Sequence, residues 1–456
     1  MRVIALGPRE SSGGSVAVLA RLMLPALLGV ALGLALYAQP LPFPLVIAGG
    51  VGLVSVLALT LVRYDLAVAL GVALLAVVRV EPAPVDAVFA VIIVVAAVTG
   101  RFRLDHAPLS MVALAGAFIA LNLLAMMDAV DIARAVKFAS ITIYLLVFGL
   151  WTSGYVDGPS RARRVLRVYI GVAVASALLG TLALRVHFPG STLLITDDYE
   201  RAMGLFKDPN VYGPFLVPAA LMLLEESLRP SLLGRGRTLK RIGFLILVIG
   251  VVFSYSRAAA LNLAVGVLVM LVVLALRRGA GRRALALFVL VLTVAGAVGW
   301  TVVATGSLQF LEQRARFQTY DTQRFGAQRT GIELAETRPL GIGPGQFEIL
   351  SPVSAHSTYI RALAEEGVTG AAVLFALMIG VLVIAGGNAI AGRSTYGIGS
   401  TALLGSWCGA LANSIFVDTL HWRHLWLIAG LIWAAAMAPA AGGQASSTGV
   451  GRGGLR

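Results

Sequence analysis

The run GFLILVIGVVFSYSRAAALNLAVGVLVMLVVLAL, residues 243–276, decides the architecture. As one helix it would be about 50 Å long at 1.5 Å per residue. A bilayer's hydrocarbon core is about 30 Å thick. The run therefore makes two short spans meeting at Tyr255-Ser256-Arg257, or one helix sharply broken there. The choice sets the sidedness of everything around it.

Working outward, the rest of the 456-residue chain is equally apolar. It is 58% hydrophobic and 13% charged, whereas a soluble domain carries about 25% charged residues. Apolar stretches long enough to cross a bilayer fall near 17–37, 44–62, 66–80, 84–100, 108–126, 134–153 and 164–185. Others fall near 210–227, 242–256, 257–276, 285–304, 368–388, 396–416 and 423–439. We expect an all-α polytopic membrane protein of about 14 spans, within a range of 12–14. The first stretch resembles a signal peptide but is span-length, so it reads as an uncleaved first helix. The Gly/Ser-rich tail 441–456 is expected to be disordered.

Charge fixes the orientation. With both termini cytoplasmic, the inner loops hold Arg101 and Arg103, the Arg161–Arg167 cluster, Arg229–Arg241 and Arg277–Arg283. About 21 of the 36 basic residues then lie inside, against about 6 of the 22 acidic ones. Splitting the 243–276 run at Arg257 keeps every short loop in register with this rule. The net charge of +14 is thus a topology signal, and no nucleic-acid partner is expected. Cys408 is the only cysteine, which excludes an internal disulfide.

Three polar stations fall on the outer side. The first is Thr196-Asp197-Asp198-Tyr199-Glu200-Arg201, running to Lys207-Asp208-Pro209-Asn210. Asp208-Pro209 is a helix start, with an acid as N-cap and proline in the first turn. The free N–H groups of such a helix suit an anion. The second is Arg257, an intramembrane charge that either faces a cavity or anchors a helix end. The third is the large loop 305–367, in which 323–338 forms an amphipathic surface helix carrying Arg324 and Arg329. Gly341, Gly343 and Gly345 then make a tight turn before His356. A neutral imidazole can take a hydroxyl proton near neutral pH, and arginine forks match phosphate oxygens.

Other candidates carry less. Asp197-Asp198 reads as a solvated acidic loop before it reads as a divalent-ion site. His421-Trp422-Arg423-His424 has helical spacing for a metal but lacks further ligands, so an interfacial belt explains it first. No metal and no cofactor are expected.

The order Arg201-x-x-Gly204-x-Phe206-x-Asp208-Pro209-Asn210, Ser256-Arg257, Gly341-x-Gly343-x-Gly345-x-Phe347, His356-Ser357-x-Tyr359, Glu366-Gly367 resembles the O-antigen ligase and polymerase superfamily. The likeness spans about Arg201 to Gly380, and the earlier spans match only as generic membrane helices. It implies a GT-C-like glycosyltransferase of the bacterial inner membrane, working on the periplasmic face with a glycan on undecaprenyl diphosphate as donor. The acceptor would be lipid- or glycan-linked. By this resemblance Arg201 and Arg257 bind the diphosphate and His356 activates or orients the acceptor hydroxyl, giving inversion. Lys207, Asn210, Arg329 and Tyr359 are the expected substrate-binding residues. Ser357 departs from the family, which often has Asn there, leaving the ring orientation of the histidine open.

The chain thus divides into N-terminal helices (1–200), donor-binding helices (201–304), the loop with the histidine (305–367), C-terminal helices (368–440) and the tail. A ligase is favoured over a polymerase. A lipid-linked glycan transporter is the rival from another class, but it would need charges reachable from both sides. A membrane scaffold would tolerate loss of Arg201, Arg257 and His356.

Overall fold

The computed structural model describes residues 43–80, 83–198, 200–277, 279–316 and 319–437. The expected first span at 17–37 and the tail 441–456 lie outside the described residues. Helices stand where the apolar runs stand. They are α1 (Phe43–Val62), α2 (Tyr64–Leu74), α3 (Pro84–Val98), α4 (Leu109–Ala125), α5 (Ile132–Tyr155), α6 (Pro159–Ala183) and α7 (Pro209–Leu228). Then come α8 (Arg237–Phe253), α9 (Arg257–Leu276), α10 (Gly281–Ala304), α11 (Leu308–Ala315) and α12 (Thr319–Thr337). The chain closes with α13 (Phe347–Leu350), α14 (Thr358–Glu365), α15 (Gly367–Ala391), α16 (Ser400–Asn413) and α17 (Arg423–Met437).

Among the described residues, seven helices are long and apolar enough to cross a membrane: α4, α5, α6, α7, α9, α10 and α15. The expected short third span is the eleven-residue α2, which reaches only about 16 Å at 1.5 Å per residue. The chain extends beyond it to β1 (Val77–Val78), which pairs in parallel with β2 (Leu205–Phe206).

The decisive run is split. Helix α8 ends at Phe253, and α9 restarts at Arg257 under a Ser256 cap that accepts from the Ala259 N–H at 3.3 Å. Likewise Asp208 caps α7, accepting from the Asn210 N–H at 2.7 Å. Both starts follow from side chains that satisfy orphan N–H groups of a first turn.

Small residues set the helix crossings. A Cβ on Gly405 would lie 2.7 Å from the Gly266 carbonyl oxygen, so α9 and α16 touch backbone to backbone. The same holds for Gly430 against the Gly149 carbonyl, at 2.5 Å, where α17 crosses α5. Such approaches are how helices associate where apolar surface alone gives no preference. Helix α7 is buried along most of its length, whereas α10 exposes Leu285, Phe288, Leu292 and Trp300. That is an apolar surface on the outside of the bundle.

Charges assigned to opposite sides of a membrane sit at opposite ends of the helices. Arg161 and Arg164 both reach Asp65, at 3.3 and 2.7 Å, and Arg101 lies over the Tyr64 ring. Arg229 and Arg277 follow the C-terminal ends of α7 and α9, while Asp208 and Arg257 stand at their starts.

Candidate active site

The loop before α7 is laced to the α8–α9 junction. The Ala202 N–H donates to the Phe253 carbonyl at 2.9 Å, and Arg201 Nε donates to the Ser254 carbonyl at 2.9 Å. Arg201 Nη2 reaches Asn210 Oδ1 at 3.4 Å, which brings the first turn of α7 to the same place. Arg257, the first residue of α9, donates through Nη2 to Asp321 Oδ1 of α12 at 2.5 Å. Arg201, Asn210, Arg257 and Asp321 line one cavity of ≈ 480 Å³. Arg324 and Gln328 of α12 complete its polar wall, and Leu261, Phe325, Phe416 and Val417 its apolar one.

Three guanidiniums against one carboxylate leave this cavity positive. Planar N–H forks suit phosphate oxygens, and the positive end of the α7 dipole adds to that field. The apolar wall gives room for a hydrocarbon chain.

His356 is not part of this lining but feels the charges of Arg324 in its wall and of Asp208, the cap of α7. Its backbone is left-handed, with φ +45°, a conformation that costs a non-glycine residue energy and is held by its surroundings. Ser357 follows as the N-cap of α14, accepting from the Ile360 N–H at 3.5 Å. The same unit occurs at the other helix start: Tyr255 has φ +48° and precedes the cap Ser256. Ser357 is therefore a conservative departure from Asn, because both are strong N-cap residues. Its hydroxyl also donates to the Ser414 carbonyl at 3.3 Å, and the Thr419 N–H donates to Thr358 Oγ1 at 2.7 Å.

Burial holds the His356 imidazole below its ordinary pKa, and the Arg324 charge pushes the same way. Asp208 and Asp418 oppose them. The histidine thus feels one residue of the cavity wall, the cap of α7, and the carboxylate next to Val417. The imidazole is kept in its neutral form near pH 7.

The glycine turn does structural work. Gly341, Gly343 and Gly345 have φ of +91°, +97° and +73°, which only glycine adopts without strain. The Gly341 amide donates back to the Arg338 carbonyl at 2.9 Å, whereas those of Gly343 and Gly345 point into the end of α14. Gly343 N–H donates to the Glu365 carbonyl at 3.0 Å, and Gly345 and Phe347 N–H donate to the Glu365 carboxylate at 2.8 and 3.0 Å. The turn presents these groups to the protein and leaves none of them for a phosphate. Buried Arg361 ties the assembly together, meeting Asp418 at 3.1 Å, Glu365 at 3.6 Å, and Glu348.

The structure brings Arg201, Asn210 and Arg257 together, with His356 outside their lining but within electrostatic reach of Arg324 and Asp208. It places Lys207, Arg329 and Tyr359 elsewhere. Lys207 is exposed. Arg329 is 84% exposed and pairs with Glu333 one turn along α12. The Tyr359 hydroxyl donates to the Leu411 carbonyl at 2.9 Å while its ring stacks on Phe375. Reading the sequence missed Asp321, Gln328, Asp418 and the position of Arg324. The spacing of Asp321, Arg324, Phe325 and Gln328 at i, i+3, i+4 and i+7 marks one face of a helix, and Arg329 lies off it. His421 and His424 do not converge. His421 Nε2 meets Thr142 Oγ1 at 3.0 Å, and His424 is buried against Trp422 and Phe215.

Residues 242–375, under a third of the chain, match the family model described as O-Antigen ligase. The match contains Arg257, the whole of α12 and His356, and supports the O-antigen ligase and polymerase superfamily for this chain. A comparison with curated proteins gives no match.

Proposed function

We propose, from the O-antigen ligase character of residues 242–375, that this membrane protein transfers a glycan from undecaprenyl diphosphate to an acceptor sugar. The observation that carries the reading is the convergence of Arg201, Arg257 and Arg324 from three separate elements on one cavity within electrostatic reach of His356. In the reaction the acceptor oxygen bonds to the anomeric carbon as the carbon–oxygen bond to the diphosphate breaks. The hydroxyl proton passes to the His356 imidazole. The electron pair leaves with undecaprenyl diphosphate, whose growing charge faces the guanidiniums and the start of α7. Direct displacement inverts the anomeric centre.

The leaving group is already a good one, so fixed positive charge supplies the help that a metal gives elsewhere. Residues 201–304 would form the donor half and 305–367 the acceptor half, on the periplasmic face of the inner membrane. Asp321, Arg324 and Gln328 replace Arg329 as the α12 contribution to the donor site.

A ligase is favoured over a repeat-unit polymerase. Purified protein incubated with undecaprenyl-diphosphate glycan and a lipid-linked acceptor should give one transfer product. A ladder formed from donor alone would assign polymerase activity instead. No transfer in either arm, with the protein folded, would sink the glycosyltransferase reading.

A further inference from the structure

Helices α7 and α9 both start at the cavity described above and both end, about 30 Å away at 1.5 Å per residue, at a second one. This cavity measures ≈ 460 Å³. Arg229 caps the C-terminus of α7, Arg277 caps that of α9, and Arg393 follows Gly392, the cap of α15. All three arginines line it.

Two carboxylates share the lining, but the fold uses both. Glu226 pairs with buried Lys240 at 3.0 Å and accepts from the amides of Ser231, Leu232 and Leu233. Glu225 accepts from the Ala402 N–H at the start of α16, at 2.6 Å. Among the described residues, Arg229, Arg277 and Arg393 are in no close ion pair, although the Arg277 charge acts on Glu225. Any one of them could merely offset the negative end of its helix. That role does not explain why three helix ends bring guanidiniums to the wall of one cavity.

Next to the arginines the surface is apolar. Leu276, just before Arg277, is 79% exposed, and Ile390, three residues before Arg393, is 77% exposed. A ligand that meets both features joins a hydrocarbon chain to a phosphate whose negative charge is not cancelled by a cation of its own.

We infer that this second cavity holds the phosphate head group of an anionic membrane lipid, with the acyl chains along the surface that exposes Leu276 and Ile390. Guanidinium forks match the phosphate, and basic pockets between membrane helices take anionic head groups.

The test is native mass spectrometry of the full chain in detergent with phosphatidylglycerol, phosphatidylcholine or inorganic phosphate added. Phosphatidylglycerol should bind and phosphatidylcholine should not. The R229Q/R277Q/R393Q variant should weaken phosphatidylglycerol binding by about five-fold per arginine, on the order of a hundredfold in all. R163Q/R167Q/R241Q removes three exposed arginines outside the cavity and should stay within about twofold of the parent. Equal binding of the two lipids, equal loss in both triple variants, or competition by inorganic phosphate at lipid-like concentrations would overturn the inference. If the triple variant fails to fold, R393Q alone, in an exposed segment, should still lose about five-fold.

Discussion

The Arg257 guanidinium meets the Asp321 carboxylate at 2.5 Å across 64 residues of sequence, inside the cavity proposed to hold the donor diphosphate. Asp321 therefore stands where phosphate oxygens would stand. Its side chain is 10% exposed and that of Arg257 is 41%, so solvent screens the pair in part. Inorganic pyrophosphate should bind D321N about two- to five-fold more tightly than the parent, and R257Q more weakly. Isothermal titration calorimetry reads both. Weaker binding to folded D321N would mean that Asp321 shapes the site rather than competing for it.

His356 gives a pH signature. Burial and Arg324 disfavour the imidazolium, so the base proposed for the free enzyme works below the ordinary histidine range. The acid limb of kcat/KM should fall below about pH 6.5. Bound diphosphate partly cancels the Arg324 charge, which favours the imidazolium, so the limb of kcat should lie at higher pH than that of kcat/KM. Removing the guanidinium in R324Q should raise the kcat/KM limb for the same reason. A downward shift in R324Q would contradict the assignment.

Arg324 and Arg329 separate the structural reading from the sequence-based one. R324A should lower kcat/KM by tenfold or more, on the order of 1.4 kcal/mol of transition-state binding. R329A, on the exposed face, should change it by no more than about twofold and leave stability within about 0.5 kcal/mol. Steady-state kinetics on both variants decides the matter, and a larger loss in R329A would restore it to the site.

The glycine turn predicts a stability contrast. A Cβ on Gly341 would sit 2.3 Å from the Glu365 carbonyl oxygen, at φ +91°. G341A should cost about 3 kcal/mol or more. G326A, within α12 and with open space around it, should be neutral or gain up to about 1 kcal/mol. Thermal unfolding in detergent compares them, and equal melting temperatures would refute the packing argument.

Much of the helical framework was legible because membrane helices announce themselves by length. Asp208-Pro209 marks a helix start by local capping chemistry, and Ser256 and Ser357 cap helices in the same way, a role the sequence reading did not assign them. Arg257 was found as a charge within an apolar run and Arg201 in the polar loop before α7, their shared role coming from the family resemblance. Asp321 and Asp418 were not found, because a carboxylate in a polar loop carries no local sign of the partner it will meet. Arg361 gave no signal either. It lies in the same polar segment as exposed Arg329, and only the approach of Asp418, Glu365 and Glu348 from elsewhere explains its burial. The glycines read as a turn, but what they turn against, the end of α14, is a long-range fact.

The paired units Tyr255-Ser256 and His356-Ser357 have a consequence for chemical rescue. Each is held by a backbone twist and a serine hydroxyl; Tyr255 also packs against Phe253 and Phe310, whereas the His356 imidazole takes no part in that support. In H356G the main chain would keep its shape, since glycine accepts φ +45° without strain. What disappears is an imidazole-shaped volume. Added imidazole should diffuse into that vacancy and restore glycan transfer to H356G in a dose-dependent way, giving the enzyme a histidine that is no longer part of its chain.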